Sequence, residues 1–303
     1  MSFSSEVKNE LCKGPLGEDC CVRGEIYGML LYSSVFAWDG IKIMTENPGI
    51  RRRIPALFKR AFGLEVAETL SSGGKSVFEI SQPSALQHIF ESLGYDYKYH
   101  ITYPLNRNLV EEDCCRAAFL RGVFLMGGTV AAPDKKCHLE ISTSHQSLAR
   151  QVMSLMLDMN LTPKITVRKN SSVIYFKDTG RVEDFLTLIG APLSSMAIME
   201  AKVEKALRNT VNRQVNCETA NLIKASSAAA QQMMKIQKAL DQEGMEAFPP
   251  NLQPTVKLRL DHPDCSLAEL AALADPPISK PGMSHRLRRI VELAEKALEK
   301  GEE

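Results

Sequence analysis

The residues best suited to hold a polyanion lie near the C-terminus, where Lys280, His285, Arg286, Arg288 and Arg289 fall in a short basic stretch. Lysine and arginine donate to phosphate oxygens, and arginine also pairs in two-pronged fashion with the guanine edge in a major groove. Ser279, Gly282 and Ser284 keep the start of this stretch narrow enough to enter such a groove, and Ser266 opens the segment before it. These nine positions are the candidate duplex-binding residues. A sparser set, Lys164, Arg168, Lys169 and Lys177, is a candidate second contact, and Arg51-Arg52-Arg53 with Lys59 and Arg60 reads as a further basic area on a helix. The whole chain carries only +1 formal charge, so any attraction to nucleic acid has to be local. For the middle of the chain, a duplex and a protein partner both stay open.

Two cysteine doublets, Cys20-Cys21 and Cys114-Cys115, are the other chemically suggestive feature. Were folding to gather them, four thiolates could hold a metal ion. Adjacent helical residues diverge by about 100°, however, so each doublet is expected to aim one thiol in any given direction. Small buried residues are therefore the favoured reading. None of the eight cysteines forms a Cys-x-x-Cys pair, and their density is below that of a disulfide scaffold. No metal, cofactor or catalytic residue is assigned.

The elements that must position these groups are legible because the chain repeats itself. Cys20-Cys21-Val-Arg-Gly24 through Ser33-Ser34 aligns without a gap on Cys114-Cys115-Arg-Ala-Ala118 through Gly127-Gly128, about 95 residues later. Beyond it, Ile41-Lys-Ile43 matches Leu139-Glu-Ile141, and Ser76-Val-Phe-Glu-Ile80 matches Ser172-Val-Ile-Tyr-Phe176. Each half reads helix, strand, helix, strands, helix, which is a duplicated unit spanning 20–94 and 114–190. Gly24 and Gly28, matched by Ala118 and Gly122, put small residues four apart on one helical face, so the two helices are expected to meet closely as the seam.

Composition is that of a globular protein, 44% hydrophobic and 24% charged, long enough for more than one domain. The first ten residues lack the basic and apolar regions of a signal peptide, and no apolar run suits a membrane span, so a cytoplasmic protein without membrane contact is expected.

Leu120-Arg-Gly-Val-Phe-Leu-Met-Gly-Gly128 resembles the helix motif of LAGLIDADG homing endonucleases, and Ile26 to Ser34 is a degenerate copy. In those enzymes each motif helix ends in an acidic residue that holds the metal ions for DNA cleavage. The matching positions here are Ser33 and Gly127, and neither a hydroxyl nor a hydrogen replaces a hard anionic oxygen ligand. Asp39 and Asp134 recur further on in turn-like settings, where aspartate commonly serves local hydrogen bonding.

After residue 190 the pattern becomes helical: Met196 to Arg208 reads as one helix, Asn209 to Asn216 as a break or hinge, and Cys217 to Leu240 as a second helix. Gly244 to Pro254 reads as a loop. Ser266-Leu-Ala-Glu269 is a capping box opening a short helix to Ala274, with Leu267, Leu270, Ala271 and Leu273 toward a core. Asp275-Pro276-Pro277 stops it, and a second helix runs from about Ser279 to Lys300 with Met283, Leu287, Ile290, Val291 and Ala294 as its buried stripe. Two helices with a basic outer face on the second suggest a helix-turn-helix; a plain helical hairpin fits the same pattern. The expected layout is a segment 1–19, the duplicated domain 20–190, a helical linker 191–217 and a DNA-binding domain 218–303.

Taken together, the paired degenerate helices, Asn212-Arg-Gln-Val-Asn-Cys217-Glu-Thr-Ala-Asn221 and the tail from Ser266 to Ile290 resemble the WhiA family of Gram-positive bacteria across essentially the whole chain. The resemblance implies an α+β fold, a pseudo-twofold LAGLIDADG-like domain followed by an all-α helix-turn-helix domain. It also implies a non-catalytic regulator that binds double-stranded DNA at promoter regions, tied to sporulation, cell division and chromosome segregation. Actinobacterial members work with an iron–sulfur partner of the WhiB type; whether this chain has such a partner stays open. A metal-dependent endonuclease and a division-machinery scaffold are the alternatives.

Overall fold

The Ser2 hydroxyl accepts from the Ser5 amide and starts the first helix, α1 (Phe3–Lys13), which buries Val7 and Leu11. This computed structural model describes residues 2–96, 103–133 and 138–300. By internal packing the chain forms two units, Met1–Ala206 and Leu207–Glu303.

In the first unit α1 is followed by α2 (Asp19–Leu31), β1 (Val35–Ala37), β2 (Gly40–Thr45), α3 (Pro48–Phe62), β3 (Glu68–Leu70), β4 (Ser76–Ile80) and α4 (Pro83–Ser92). The second half repeats the order as α5 (Asp113–Gly127), β5 (Gly128–Val130), β6 (Leu139–Thr143), α6 (Gln146–Asp158), β7 (Lys164–Arg168), β8 (Ser171–Phe176) and α7 (Thr179–Ile189). The sheets share one strand order, β1-β2-β4-β3 and β5-β6-β8-β7, with every pair antiparallel. Side chains alternate across each sheet, so Ile41 and Ile43 face the core with Ile80 and Phe78, and Leu139 and Ile141 do so with Phe176 and Ile174. The short edge strands β1 and β5 were not foreseen, because three residues are too few to show alternation.

The seam between the halves is α2 against α5. A Cβ on Gly28 would stand 2.2 Å from the Phe119 carbonyl oxygen, and one on Gly122 would stand 2.0 Å from that of Glu25. Gly122 is the repeat equivalent of Gly28, and Phe119 that of Glu25, so each contact is the mirror of the other. Such reciprocity is what a twofold relation between the helices produces. The expected fold class therefore holds: an α+β, LAGLIDADG-like pseudo-twofold domain, followed by an all-helical one.

Helix α8 (Pro192–Glu243) runs without interruption through the expected break at Asn209 to Asn216. After Pro192 it contains neither glycine nor proline, and asparagine or threonine costs at most roughly 0.7 kcal/mol per residue in a helix. Its first turn is held by Glu10 of α1, whose carboxylate accepts from the Leu193 and Ser194 amides at 2.8 and 2.9 Å and from the Ser194 hydroxyl.

The second unit follows α8 with a 3-10 turn (Gly244–Ala247), α9 (Gln253–Asp261), α10 (Leu267–Leu273) and α11 (Lys280–Lys300). Its core joins Ile236 and Ala239 of α8 to Phe248, Leu252, Val256, Leu270, Ala271, Met283, Leu287, Ile290, Ala294 and Ala297. Helix α9 begins inside the stretch expected to be a loop. Pro254 sits in its first turn, where the missing amide hydrogen costs nothing. Leu273, expected in the core, is exposed, because α10 ends there; Val291 is only partly buried.

Three sequence expectations about side chains also change. Cys20 and Cys114 are exposed and Cys21 half-exposed; only Cys115 is buried. The two sulfurs of each doublet lie 3.9 Å apart, since a cysteine side chain can swing toward its neighbour although the Cβ directions diverge. Arg53 is buried rather than part of a basic area, and Arg51, Lys59 and Arg60 are paired with Glu68, Glu65 and Asp19. Among the described residues, no helix is long and apolar enough to cross a membrane.

Candidate nucleic-acid interface

Ser266 and Glu269 close the capping box at the start of α10: the Glu269 amide donates to the Ser266 hydroxyl at 3.3 Å, and the Ser266 amide donates to the Glu269 carboxylate at 2.7 Å. The Ser266 amide, with its hydroxyl, holds the Glu269 carboxyl below its ordinary value. Ser266 therefore has a structural task. Ser279 has a similar one at the start of α11, accepting from the Gly282 amide at 3.2 Å through its hydroxyl. Between the helices the Ile278 amide donates to the Ala271 carbonyl at 3.0 Å, and the Asp275–Pro276 peptide is cis.

Met283, Leu287, Ile290 and Ala294 bury one face of α11. With that face fixed, the helical period turns Lys280, His285, Arg288 and Arg289 outward, where all four are exposed; Gly282, Ser284 and Arg286 occupy the flanks. Arg289 is drawn toward Glu292 at 3.1 Å, an exposed pair worth little. Arg288 makes no ion pair among the described residues. Beneath the tip of α10, Arg259 of α9 is buried and donates to the Cys265 carbonyl at 2.7 Å. Burial lowers its pKa, and its Nε has no partner. Sequence reasoning missed Arg259, because the stretch between Pro254 and Ser266 is assigned no element and its burial depends on the packing of α9.

In the first unit, Lys164 and Arg168 lie on the edge strand β7, Lys169 in the turn after it with φ of 54°, and Lys177 just beyond β8. Arg168 is paired with Glu140 of β6 at 2.8 Å, and Lys177 stands 5.2 Å from the ring centroid of Tyr175. Lys164 and Lys177 therefore lie at one end of the β7–β8 pair and Arg168 and Lys169 at the other, so the four do not form one cluster.

At the C-terminal end of the seam, where LAGLIDADG enzymes place their carboxylates, Ser33 points its hydroxyl at the Leu30 and Val35 carbonyls, 2.7 and 2.9 Å away. A Cβ on Gly127 would meet the Tyr32 ring at 2.6 Å and the Ser142 carbonyl at 2.8 Å, so the space for a side chain is filled. Burial raises the Tyr32 phenol pKa. The recess beside it is lined by Leu31, Tyr32, Ser33, Ser142, Thr143, Ser144, His145 and Ser171, hydroxyl-rich and without a carboxylate. A second recess at Lys8, Ser34 and Met126 contains Glu46, which Lys75 holds at 2.8 Å. Asp39 is exposed in the β1–β2 turn, and Asp134 lies outside the described residues.

A duplicated LAGLIDADG-like domain without paired carboxylates at its seam, in one chain with a capped helix-turn-helix, defines the class of protein. Family profiles resolve it further: one described as the WhiA LAGLIDADG-like domain matches residues 116–208, and one described as the WhiA C-terminal HTH domain matches residues 211–294. The chain is 37% identical to the probable cell division protein WhiA of Ruminiclostridium cellulolyticum, over 98% of both chains. It is 34% identical to that of Alkaliphilus metalliredigens, again over 98% of both. It belongs to the WhiA family. The fold also matches the crystal structure of full-length DUF199/WhiA from Thermatoga maritima, with a TM-score of 0.61 and 24% identity over 98% of this chain and 99% of that one.

Proposed function

We propose that this protein is a sequence-specific DNA-binding transcriptional regulator acting in cell division, chromosome segregation or sporulation, and that its LAGLIDADG-like domain does not cut DNA. The observation that carries the reading is the outer face of α11. Lys280, His285, Arg288 and Arg289 are exposed together at its N-terminal half, while a continuous apolar stripe anchors the opposite face. A helix held from one side with exposed guanidinium groups on the other can enter a major groove, where arginine pairs with guanine edges and lysine with phosphates. The relatives named as probable cell division proteins support the physiological part.

The non-catalytic part is supported by Ser33 and the filled space at Gly127. Metal-assisted cleavage of a phosphodiester needs hard anionic ligands at the scissile bond. The repeat domain then serves to orient the DNA-binding unit or to bind a protein partner, with Lys164, Lys169 and Lys177 available for a supplementary duplex contact. The protein works at promoter regions in the cytoplasm, on the nucleoid.

The test is selection from a random duplex library by the purified full-length chain at physiological salt, with and without magnesium. Retained duplexes sharing a motif and keeping intact ends support the regulator. Uniform weak retention favours a scaffold, and magnesium-dependent fragments favour a nuclease. An Arg288→Ala, Arg289→Ala double variant that selects the parent's motif with the parent's affinity would remove α11 from the interface.

A further inference from the structure

The Sγ atoms of Cys20, Cys21, Cys114 and Cys115 all lie within 4.8 Å of one another. We propose that these four thiols form a structural site for a single tetrahedral zinc ion, which clamps the two repeats together at the N-terminal ends of α2 and α5. The four cysteines all belong to the first unit, and the site does not depend on the function proposed above.

The seam geometry explains why four thiols meet. Each doublet occupies the first turn of its helix, Cys20 and Cys21 in α2 and Cys114 and Cys115 in α5. The twofold register that sets Gly28 against Phe119 also sets Gly24 against Cys115, whose carbonyl would be 2.9 Å from an added Cβ. Equivalent first turns therefore converge on the twofold relation, two sulfurs from each side.

The distances suit one ion. Thiolates at about 2.3 Å from zinc form a tetrahedron with edges of about 3.8 Å. The sulfurs within each doublet are already 3.9 Å apart. A disulfide needs sulfurs about 2.05 Å apart, and an iron–sulfur cluster stands between its thiolates and holds them more widely. Neutral thiols are weak hydrogen-bonding groups, so gathering four of them offers little by itself. Four thiolates around a soft-accepting divalent ion make a strong, coordinatively closed site.

The surroundings leave these sulfurs as the ligands. Asp19 and Asp113, the carboxylates next to each doublet, are engaged with Arg60 at 2.8 Å and Arg116 at 2.9 Å. Neither helix has a side-chain cap on its first turn, so the partial positive charge of both helix ends favours thiolates there. Cys115 is buried while Cys20 and Cys114 are exposed, which gives the ion a way in. On binding, each thiol that becomes a ligand gives its proton to solvent; no oxidation is involved. With all four positions taken by protein, the ion has no open position for substrate and serves the fold alone.

The experiment uses the full-length chain purified under reducing conditions. Elemental analysis is expected to find about one zinc per chain, and replacement by cobalt(II) to produce the thiolate charge-transfer and tetrahedral ligand-field bands of a four-sulfur site. A Cys20→Ser, Cys114→Ser double variant changes only exposed positions, and its fold is checked by circular dichroism. It should lose at least nine-tenths of the metal and the cobalt bands, whereas Cys217→Ser should keep both. A chelator should lower the melting temperature of the parent and leave that of the double variant unchanged. A fully reduced parent that takes up neither zinc nor cobalt overturns the proposal. So do a double variant that retains the parent's metal content and a native disulfide within the four cysteines. Should the double variant fail to fold, the parent's cobalt spectrum decides.

Discussion

Glu25 of α2, which is buried, and Arg121 of α5, which is half-buried, form an ion pair across the seam, Oε2 to Nη1 at 3.2 Å, between the two repeats. The same carboxylate takes a two-pronged pair from Arg53 of α3, at 2.5 and 2.9 Å. Arg53 also donates to the Gly14 carbonyl, and Arg121 to the Ile189 carbonyl, each at 2.7 Å. One carboxylate thus fixes three helices and, through the arginines, the chain on either side of them. Removing it should leave two guanidinium groups without their counter-charge, one of them buried. Glu25→Ala is expected to cost about 3–5 kcal/mol in urea unfolding, the usual penalty for breaking a buried pair from one side. A loss below about 1 kcal/mol would mean that water replaces the carboxylate.

The close approach of the seam helices makes a methyl group intolerable. Gly122→Ala places a Cβ on the Glu25 carbonyl, so α2 and α5 must separate, and a loss of about 1–3 kcal/mol or more is expected. Gly73→Ala, whose nearest neighbour is the Ser71 hydroxyl at 4.0 Å, is the control and should be nearly neutral. Equal melting temperatures for the two variants would refute the tight seam.

The capping box at α10 predicts a local effect. Ser266→Ala removes the acceptor for the Glu269 amide and should cost about 0.5–2 kcal/mol. Hydrogen exchange should quicken in α10 while the amides of α2 and α5 keep the parent's rates. Protection in α10 that survives the substitution would show that packing of Leu270 and Ala271 alone holds the helix.

On the proposed DNA face, arginine and lysine should behave differently. Arg288→Ala should cost about 1–3 kcal/mol of discrimination if the guanidinium reads a base, changing the order in which sequences are preferred. Lys280→Ala should weaken binding to all sequences alike and reduce the salt slope by about 1. Titrations at several salt concentrations separate the two, and identical behaviour would assign both residues to phosphates.

Restoring one acid at the seam should not restore cleavage. Gly127→Asp forces a side chain into the space held by the Tyr32 ring, so it should destabilise the first unit and leave a supercoiled plasmid uncut in magnesium. A nicked product would show that Tyr32 moves aside and that a metal finds ligands there.

Much of this was legible from residue order because the signals are local. The repeat, the small residues at Gly24, Gly28, Ala118 and Gly122, the capping box and the stripe on α11 each depend on spacings along one element. Helix α9 and the continuity of α8 were not legible. Pro254 looks like a breaker until its place in a first turn is known, and the run from Asn209 to Asn216 looks weak until it is seen to hold no residue that must end a helix. Arg53 read as surface charge because its partners, Glu25 and the Gly14 carbonyl, come from other elements.

The sequence by itself determined that two copies of one unit meet along glycine-bearing helices, that the acids of a cleavage site are missing, and that a capped short helix and a basic helix follow. Covalent spacing and the helical period suffice for each of these. Only the tertiary structure decided that Glu25 joins both repeats, that Tyr32 fills the space at Gly127, and that four thiols from separate first turns come within 4.8 Å. Those outcomes depend on the crossing of α2 and α5 and on side-chain rotamers at their contact, which no pattern along a single element encodes.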